Sequence, residues 1–380
     1  MPRRAARSVS GFVLPPYPYD RLDPLKAIAA AHDGGIVDLS VGTPTDPPPQ
    51  AVLDAIAASD AERGYPASVG TPSLRAAAQR WLRRRFGVEV DAGAIAATIG
   101  SKEFVAGLPH WLRLRTPERD TVLYPAVSYP SYAMGAALAG CRAVPVTAAA
   151  DGTIDLSAVD PADARRALCL WVNTPSNPGG GLDDLDAAAA WGRANEVVVA
   201  SDECYAEFTW DGPPRTILSS GTDGVLALHS LSKRSNLAGV RVGVYAGDAD
   251  IVRFVSEVRK HAGFMCPGPS QAAAVAAFDD QAHVDVQRDR YLGRLRRMRD
   301  LLAAVGVAAD LPSGGFYLFP EAPDGDAWAF AELLARRLGV LVSPGEFYGE
   351  AGASRVRVAV VRPDEAYDLV EERLGQTAGE

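Results

Sequence analysis

Lys233 stands in the run H-S-L-S-K-R-S-N-L-A-G-V-R-V-G (229–243), just after the apolar stretch Val225 to Leu228. Such a stretch reads as a buried strand, so the lysine sits at a strand end. An amine held there can condense with a carbonyl to form a Schiff base. Ser230, Ser232 and Arg241 lie close by in sequence, and hydroxyls with a guanidinium fork are the groups that grip a phosphate. Pyridoxal 5′-phosphate (PLP) carries both a reactive carbonyl and a phosphate.

Other apolar runs end on residues that suit the same molecule. After Ile95–Ile99 comes Gly100-Ser101-Lys102-Glu103 opening a helix, and a glycine–serine turn at a helix N-terminus offers N–H groups and a hydroxyl to an anion. After Thr121–Tyr124 comes Tyr129, an aromatic that can stack on a flat ring. After Leu168–Val172 comes N-T-P-S-N-P (173–178), a proline-stiffened loop whose Asn177 can donate to a phenolic oxygen. After Val197–Ser201 come Asp202 and Tyr205. A PLP ring withdraws electrons only while its pyridine nitrogen keeps a proton, and a buried carboxylate beside that nitrogen holds the proton there. Burying an acid at the end of a V-V-V-A strand is otherwise costly.

These residues need a frame, and the chain predicts one. Apolar runs at Ile95–Ile99, Thr121–Tyr124, Ala143–Val146, Leu168–Val172, Val197–Ser201, Val225–Leu228 and Val242–Ala246 alternate with helical patterns. That alternation predicts an α/β domain with a mostly parallel seven-stranded sheet, whose ligands gather at the carboxyl ends of the strands. The link between the sixth and seventh runs is too short and loop-like for a helical crossover, so the seventh strand is expected to run antiparallel. Residues 50–86 hold two helical patterns, the second starting at Thr71-Pro72. Beyond a long amphipathic helix at 281–304, short strands and helices predict a smaller α+β domain. The expected division is 46–280 for the large domain and 1–45 together with 281–380 for the small one.

The 380 residues are 48% hydrophobic and 22% charged, with a formal net charge of −9, which fits a globular protein and argues against a nucleic-acid binder. The four cysteines are far apart with no C-x-x-C pair, so free thiols in a reducing compartment are expected. The five histidines lack metal-ligand spacing, and no metal site is expected. The basic start lacks an apolar core of signal-peptide length, and no apolar run reaches the ~18 residues of a membrane helix. Cytoplasmic residence without membrane attachment is expected.

The ordered set N-T-P-S-N-P, D-E-C-Y, S-L-S-K and G-V-R-V-G resembles the class I/II aminotransferases, which are fold-type-I PLP enzymes, over nearly the whole chain. The resemblance implies that Lys233 carries PLP as a Schiff base and moves the substrate α-proton. It implies that Asp202 pairs with the pyridine nitrogen, that Asn177 and Tyr205 bond the phenolic oxygen, and that Tyr129 stacks on the ring. Ser101, Lys102, Ser230, Ser232 and Arg241 would surround the phosphate, Lys102 through its backbone. Tyr65, ahead of V-G-T-P-S-L-R, matches a tyrosine that reaches the phosphate of the other subunit, which implies a homodimer with shared active sites. Arg357, in S-R-V-R-V-A-V, and Gly42, in L-S-V-G-T-P, match positions that receive the substrate α-carboxylate. The implied partners are an amino acid and a 2-oxo acid.

Three stretches, G-S-K-E-F-V-A-G-L-P, Y-P-A-V-S-Y-P-S-Y and S-L-S-K-R-S-N-L-A-G, resemble actinobacterial N-succinyldiaminopimelate aminotransferases of lysine and cell-wall precursor synthesis. Those enzymes aminate N-succinyl-2-amino-6-oxoheptanedioate with glutamate. Such a substrate needs further cationic donors, for which Arg21, Lys26 and Arg234 are candidates. A general aspartate, alanine or aromatic aminotransferase, or a carbon–sulfur β-lyase, would share every cofactor residue. A PLP-dependent transcription regulator would need a DNA-binding module ahead of V-G-T-P, and the forty preceding residues hold none.

Overall fold

The computed structural model describes residues 17–61 and 63–377. Expectations that fall on residues 1–16 lie outside these. The strands are β1 (Val37–Asp38), β2 (Ile95–Thr98), β3 (Thr121–Pro125), β4 (Arg142–Val146), β5 (Ala167–Asn173), β6 (Val198–Asp202), β7 (Val225–Ser230), β8 (Gly243–Gly247), β9 (Tyr317–Leu318), β10 (Val340–Leu341), β11 (Ser343–Pro344) and β12 (Val356–Ala359). Strands β10 and β11 are separated by Val342 alone yet belong to different sheets.

Strands β2 to β8 form one sheet in the order β2-β8-β7-β6-β5-β3-β4. Strand β8 is antiparallel to both neighbours, and the other pairings are parallel. The about a dozen residues between β7 and β8 hold only the one-turn helix Leu231–Arg234 and a 3-10 turn at Ala238–Val240, too little for a helical crossover. The longer links carry helices such as Ser101–Arg115 and Leu185–Asn195. Strand β5 is buried throughout, which is why it reads as a continuous apolar run. Cys169 and Trp171 face one apolar layer with Phe104, Trp111 and Tyr245, while Leu170 and Val172 face another with Leu74 and Trp81. The helix Pro72–Phe86 starts where Thr71 accepts from the Leu74 N–H, and it stops at Gly87 in the left-handed region.

A third apolar cluster lies apart from this sheet. Leu22, Leu25, Val37 and Leu39 pack there with Leu295, Met298, Phe330, Leu338 and Val358. Strand β1 pairs in parallel with β10, and β12 lies between β11 and β9. The described part of the N-terminal segment thus packs with the C-terminal third.

A buried ion pair ties these parts together. Arg294, on the helix Ala282–Ala304, donates to both oxygens of Asp46 at 2.6 and 2.9 Å, and Gln287 donates to the same carboxylate at 2.8 Å. Burial pushes the Asp46 carboxyl up, but the hydrogen bonds from Arg294 and Gln287 outweigh it and leave the group below the usual carboxylate range. Arg294 also donates to Asp364 Oδ1 at 2.7 Å, so losing Asp46 leaves the buried guanidinium with a single, exposed acid. Asp46→Ala is therefore expected to cost about 1.5–3 kcal/mol, the worth of hydrogen bonds to a charged group, read as a lower denaturant midpoint. An unchanged midpoint would mean that Asp364 and water satisfy Arg294 when Asp46 is gone.

Candidate active site

The carboxyl edge of the large sheet opens on a cavity of about 800 Å³, lined among others by Gly42, Ser101, Lys102, Tyr129, Asn177, Asp202, Tyr205, Ser232, Lys233, Arg241 and Arg357. Five strands of the sheet that run in the same direction deliver residues there directly. Ser101 follows β2, Tyr129 follows β3, Asn177 follows β5, Asp202 ends β6 and Lys233 follows β7. Antiparallel β8 begins at that same edge, with Gly243 opposite Ser230, so Arg241 is delivered from the chain entering the strand.

One end of the cavity is built for an anion. The helix Ser101–Arg115 starts at Gly100 with no capping side chain, so its first N–H groups stay available. Gly100 has φ +76°, and a Cβ there would lie 2.1 Å from the Arg241 guanidinium. Only glycine lets that guanidinium come so close to the turn. Arg241 is itself in the left-handed region, and it donates to the carbonyls of Ala238 and Ile99.

At the floor, Asp202 is 6% exposed. Burial raises its carboxyl above the usual range, against hydrogen bonds from Cys204 and Tyr132 that favour the anion. Lys233 donates to the Gly42 carbonyl. Burial lowers its ammonium from the ordinary 10.5 to about 8. A Cβ on Gly42 would lie 2.0 Å from the Tyr317 hydroxyl, so the backbone can approach here only as glycine. Tyr317 in turn bonds Tyr205 at 2.8 Å.

Arg357 forms the opposite wall. It is 2% exposed, and its guanidinium lies between the Tyr317 and Tyr348 rings at 4.4 and 4.6 Å. It donates to Asn177 Oδ1 at 2.9 Å, to the Ser40 carbonyl at 2.5 Å and to the Tyr19 hydroxyl at 3.3 Å, while its Nε has no partner. None of these partners is acidic. A guanidinium buried without a counter-ion suits an anion that arrives with a ligand.

Three sets of sequence expectations need correcting. Ser230 does not line the cavity; its hydroxyl accepts from the Ser232 N–H at 3.1 Å and caps the short helix that carries Lys233. Lys102 reaches the cavity with its side chain as well, its ammonium 5.7 Å from the Tyr17 ring and 6.0 Å from the Tyr129 ring. Of the candidates for a distal carboxylate, Arg234 is buried against Glu207, Arg21 pairs with Glu346 at 2.6 Å, and Lys26 is exposed off the cavity wall. Tyr65 is 96% exposed and lines no part of this cavity. The sequence reading passed over Tyr17, Tyr19, Tyr132 and Tyr317. A signal existed for Tyr132, three residues after Tyr129 in S-Y-P-S-Y at the start of a helix.

The cavity fits PLP on its own geometry. It has a glycine-lined anion cradle, a buried carboxylate without a cation bonded to it, and an amine made nucleophilic by burial. Among the described residues no group of histidine, cysteine and acidic side chains is arranged to hold a metal ion, and no helix is long and apolar enough to cross a membrane. The depressed Lys233 ammonium sets a pH dependence, because only the neutral amine attacks. Acylation of Lys233 in cofactor-free protein by limiting acetic anhydride, read by peptide mass spectrometry, should rise through about pH 8. A rise centred near the ordinary 10.5 would place the amine in water instead.

Comparison with known proteins agrees with this geometry. Residues 34–374 match the family described as Aminotransferase class I and II. The 4-dedimethylamino-4-oxo-anhydrotetracycline transaminase OxyQ of Streptomyces rimosus is 44% identical, covering 95% of this chain and 99% of its own. The LL-diaminopimelate aminotransferase of Desulforudis audaxviator is 33% identical, covering 95% of each chain. The solved structure of a probable N-succinyldiaminopimelate aminotransferase from Thermus thermophilus superposes with a TM-score of 0.84 at 29% identity, over 94% of this chain and 99% of that one. With the match running through nearly the whole sheet and both walls of the cavity, the chain belongs to the class I/II aminotransferases, PLP-dependent enzymes of fold type I.

Proposed function

We propose that this aminotransferase carries PLP on Lys233 and moves an amino group from glutamate to N-succinyl-2-amino-6-oxoheptanedioate, in diaminopimelate and lysine synthesis. The observation that carries the chemistry is the convergence of Lys233, Asp202 and the acid-free Arg357 on one cavity. When bound, PLP supplies an electron sink that makes the substrate α-proton removable. Arg357 would take the α-carboxylate on its fork, its plane set by the two tyrosine rings. Asn177, with its carbonyl held by Arg357, would donate to the phenolic oxygen together with Tyr205. Ser101, Ser232, Arg241 and the N–H groups of the helix after Gly100 would hold the phosphate. Lys233, once displaced by substrate, would take the proton from the α-carbon and deliver it to the carbon that was the cofactor's aldehyde.

The substrate reading rests on a second cation. The Lys102 ammonium, over Tyr17 and Tyr129, offers a site for a carboxylate remote from Arg357. The names of the Desulforudis relative and the Thermus neighbour point to diaminopimelate chemistry. A second reading has its own support. The Streptomyces relative acts on a polycyclic ketone, and Tyr17, Tyr19 and Tyr129 make an aromatic wall that suits a flat ring system. We further propose a cytoplasmic homodimer in which Tyr65 of each chain completes the other's phosphate site. Residues 46–280 would then be the cofactor-bearing domain, and 1–45 with 281–380 the smaller one.

Purified PLP-loaded protein, mixed without any 2-oxo acid, should lose its visible absorption band rapidly with N-succinyl-LL-diaminopimelate and with glutamate. It should do so slowly with alanine and phenylalanine. Lys102→Ala should raise the KM for the succinylated donor about tenfold, the worth of one charge-assisted hydrogen bond, and leave alanine unaffected. Conversion of an aminated anhydrotetracycline, with none of the succinylated compound, would favour the second reading. Lys233→Ala should fold yet lack the visible band, and turnover retained by that variant would overturn the PLP assignment. Tyr65→Phe and Lys233→Ala proteins, each impaired, should regain up to about a quarter of full activity after subunit exchange, since one site in four is then intact. No gain after proven exchange would count against shared sites.

A further inference from the structure

Asp202 has a hydrogen-bonding partner behind it that the chemistry above does not use. The Tyr132 hydroxyl donates to Asp202 Oδ2 at 3.0 Å. We propose that Tyr132 is a positioning residue for the reaction, fixing the plane of the Asp202 carboxylate so that one oxygen stays aimed at the cofactor's ring nitrogen. The inference rests on Asp202 being the partner of that nitrogen.

The torsion that turns an aspartate carboxylate is broad and soft, so burial alone does not set its plane. In Asp202 both oxygens are tethered. Oδ1 accepts from the Cys204 N–H at 3.3 Å, and Oδ2 accepts from Tyr132. A carboxylate has about four acceptor sites, so Oδ2 keeps a lone pair for a second donor while Tyr132 stays bonded. The Cys204 bond is long and comes from the residue two places on in the same turn. The Cys204 thiol, from that same turn, also meets the carboxylate, whereas Tyr132 ties it at 3.0 Å to a different element, the helix Ser131–Leu138.

Tyr132 is itself rigid. It is fully buried in the first turn of the helix Ser131–Leu138, stacked on Trp171 with ring centroids 5.1 Å apart and planes at 23°. Tyr129 meets it edge-on at 6.1 Å. The registers Trp171↔Ala200 and Asn173↔Asp202 place Trp171 and Asp202 on the same face of neighbouring strands. A ring lying on Trp171 is therefore beside the carboxylate. Burial pushes the Tyr132 phenol well above its usual range, so it remains a donor throughout the working pH range. The segment Y-P-S-Y would then serve the cofactor twice, with Tyr129 on the ring face and Tyr132 behind the partner of its nitrogen.

A buried tyrosine commonly finds some hydrogen-bond partner for packing reasons alone, so the test must separate positioning from packing. Tyr132→Phe keeps the ring and removes the donor. Dissociation constants of apoprotein for PLP and for 1-deaza-pyridoxal 5′-phosphate, whose ring has C–H in place of nitrogen, are measured for wild type and variant by titrating the visible band. The variant should bind PLP about tenfold or more weakly, the worth of a hydrogen bond to a charged group. It should bind the deaza analogue as wild type does, and its apoprotein should melt within a few degrees of wild type. Equal weakening for both cofactors, no weakening for either, or loss of folded apoprotein would overturn the proposal. If wild type itself does not distinguish the two cofactors, the assignment of Asp202 fails first and takes this inference with it. If wild type does distinguish them and the variant matches it, the role of Tyr132 fails alone.

Discussion

A carboxylate, an amine and a guanidinium that face one cavity without bonding each other are the constraint on which the rest of this structure hangs. Asp202, Lys233 and Arg357 are each withdrawn from bulk water, and each is held by neutral groups rather than by an opposite charge. Had Asp202 closed onto Lys233, both would be satisfied and inert. The protein instead tolerates three uncompensated charges, each of which costs stability by itself. That cost is sensible only where a ligand brings the missing partners, and PLP with an amino acid brings a ring N–H, a carbonyl and a carboxylate.

Keeping the three groups apart is the work of two separate sheets. The large sheet supplies Asp202 and Lys233 from the ends of adjacent strands, β6 and β7. The antiparallel entry into β8 adds Arg241 at that same edge. Arg357 sits on β12, in the other sheet, where the ladder to β9 and the ring of Tyr317 hold it. Neither sheet holds the full set. The Asp46–Arg294 pair and the pairing of β1 with β10 anchor the segment around Gly42 whose backbone meets both Lys233 and Tyr317.

Two kinds of contact recur in the cavity wall, close backbone approaches at glycine and bonds to tyrosine hydroxyls. Gly42 and Gly100 matter for the Cβ they lack. Tyr19, Tyr205, Tyr317 and Tyr348 surround Arg357 with rings and hydroxyls, so the guanidinium is oriented without being neutralised. Carboxylates in those places would have fixed it as firmly but would have competed with substrate for it.

The amino-acid sequence alone determined the alternating sheet, the antiparallel seventh strand and the strand-end positions of Lys233, Asp202, Asn177 and Ser101. Each of these follows from local apolar periodicity and the length of a link, which are written in consecutive residues. It also carried the family resemblance, in motifs of four to six residues. Only the tertiary structure decided that Ser230 turns inward as a helix cap, that Arg234 is locked to Glu207 and that Lys102 reaches the cavity with its ammonium. A side chain's direction depends on what packs beside its element, and the residues concerned are far apart in the chain: Glu207 lies 27 positions from Arg234, and Asp202 lies 70 from Tyr132. Local pattern can place a residue at a strand end, but which neighbour its functional group meets is settled when distant segments close on one another.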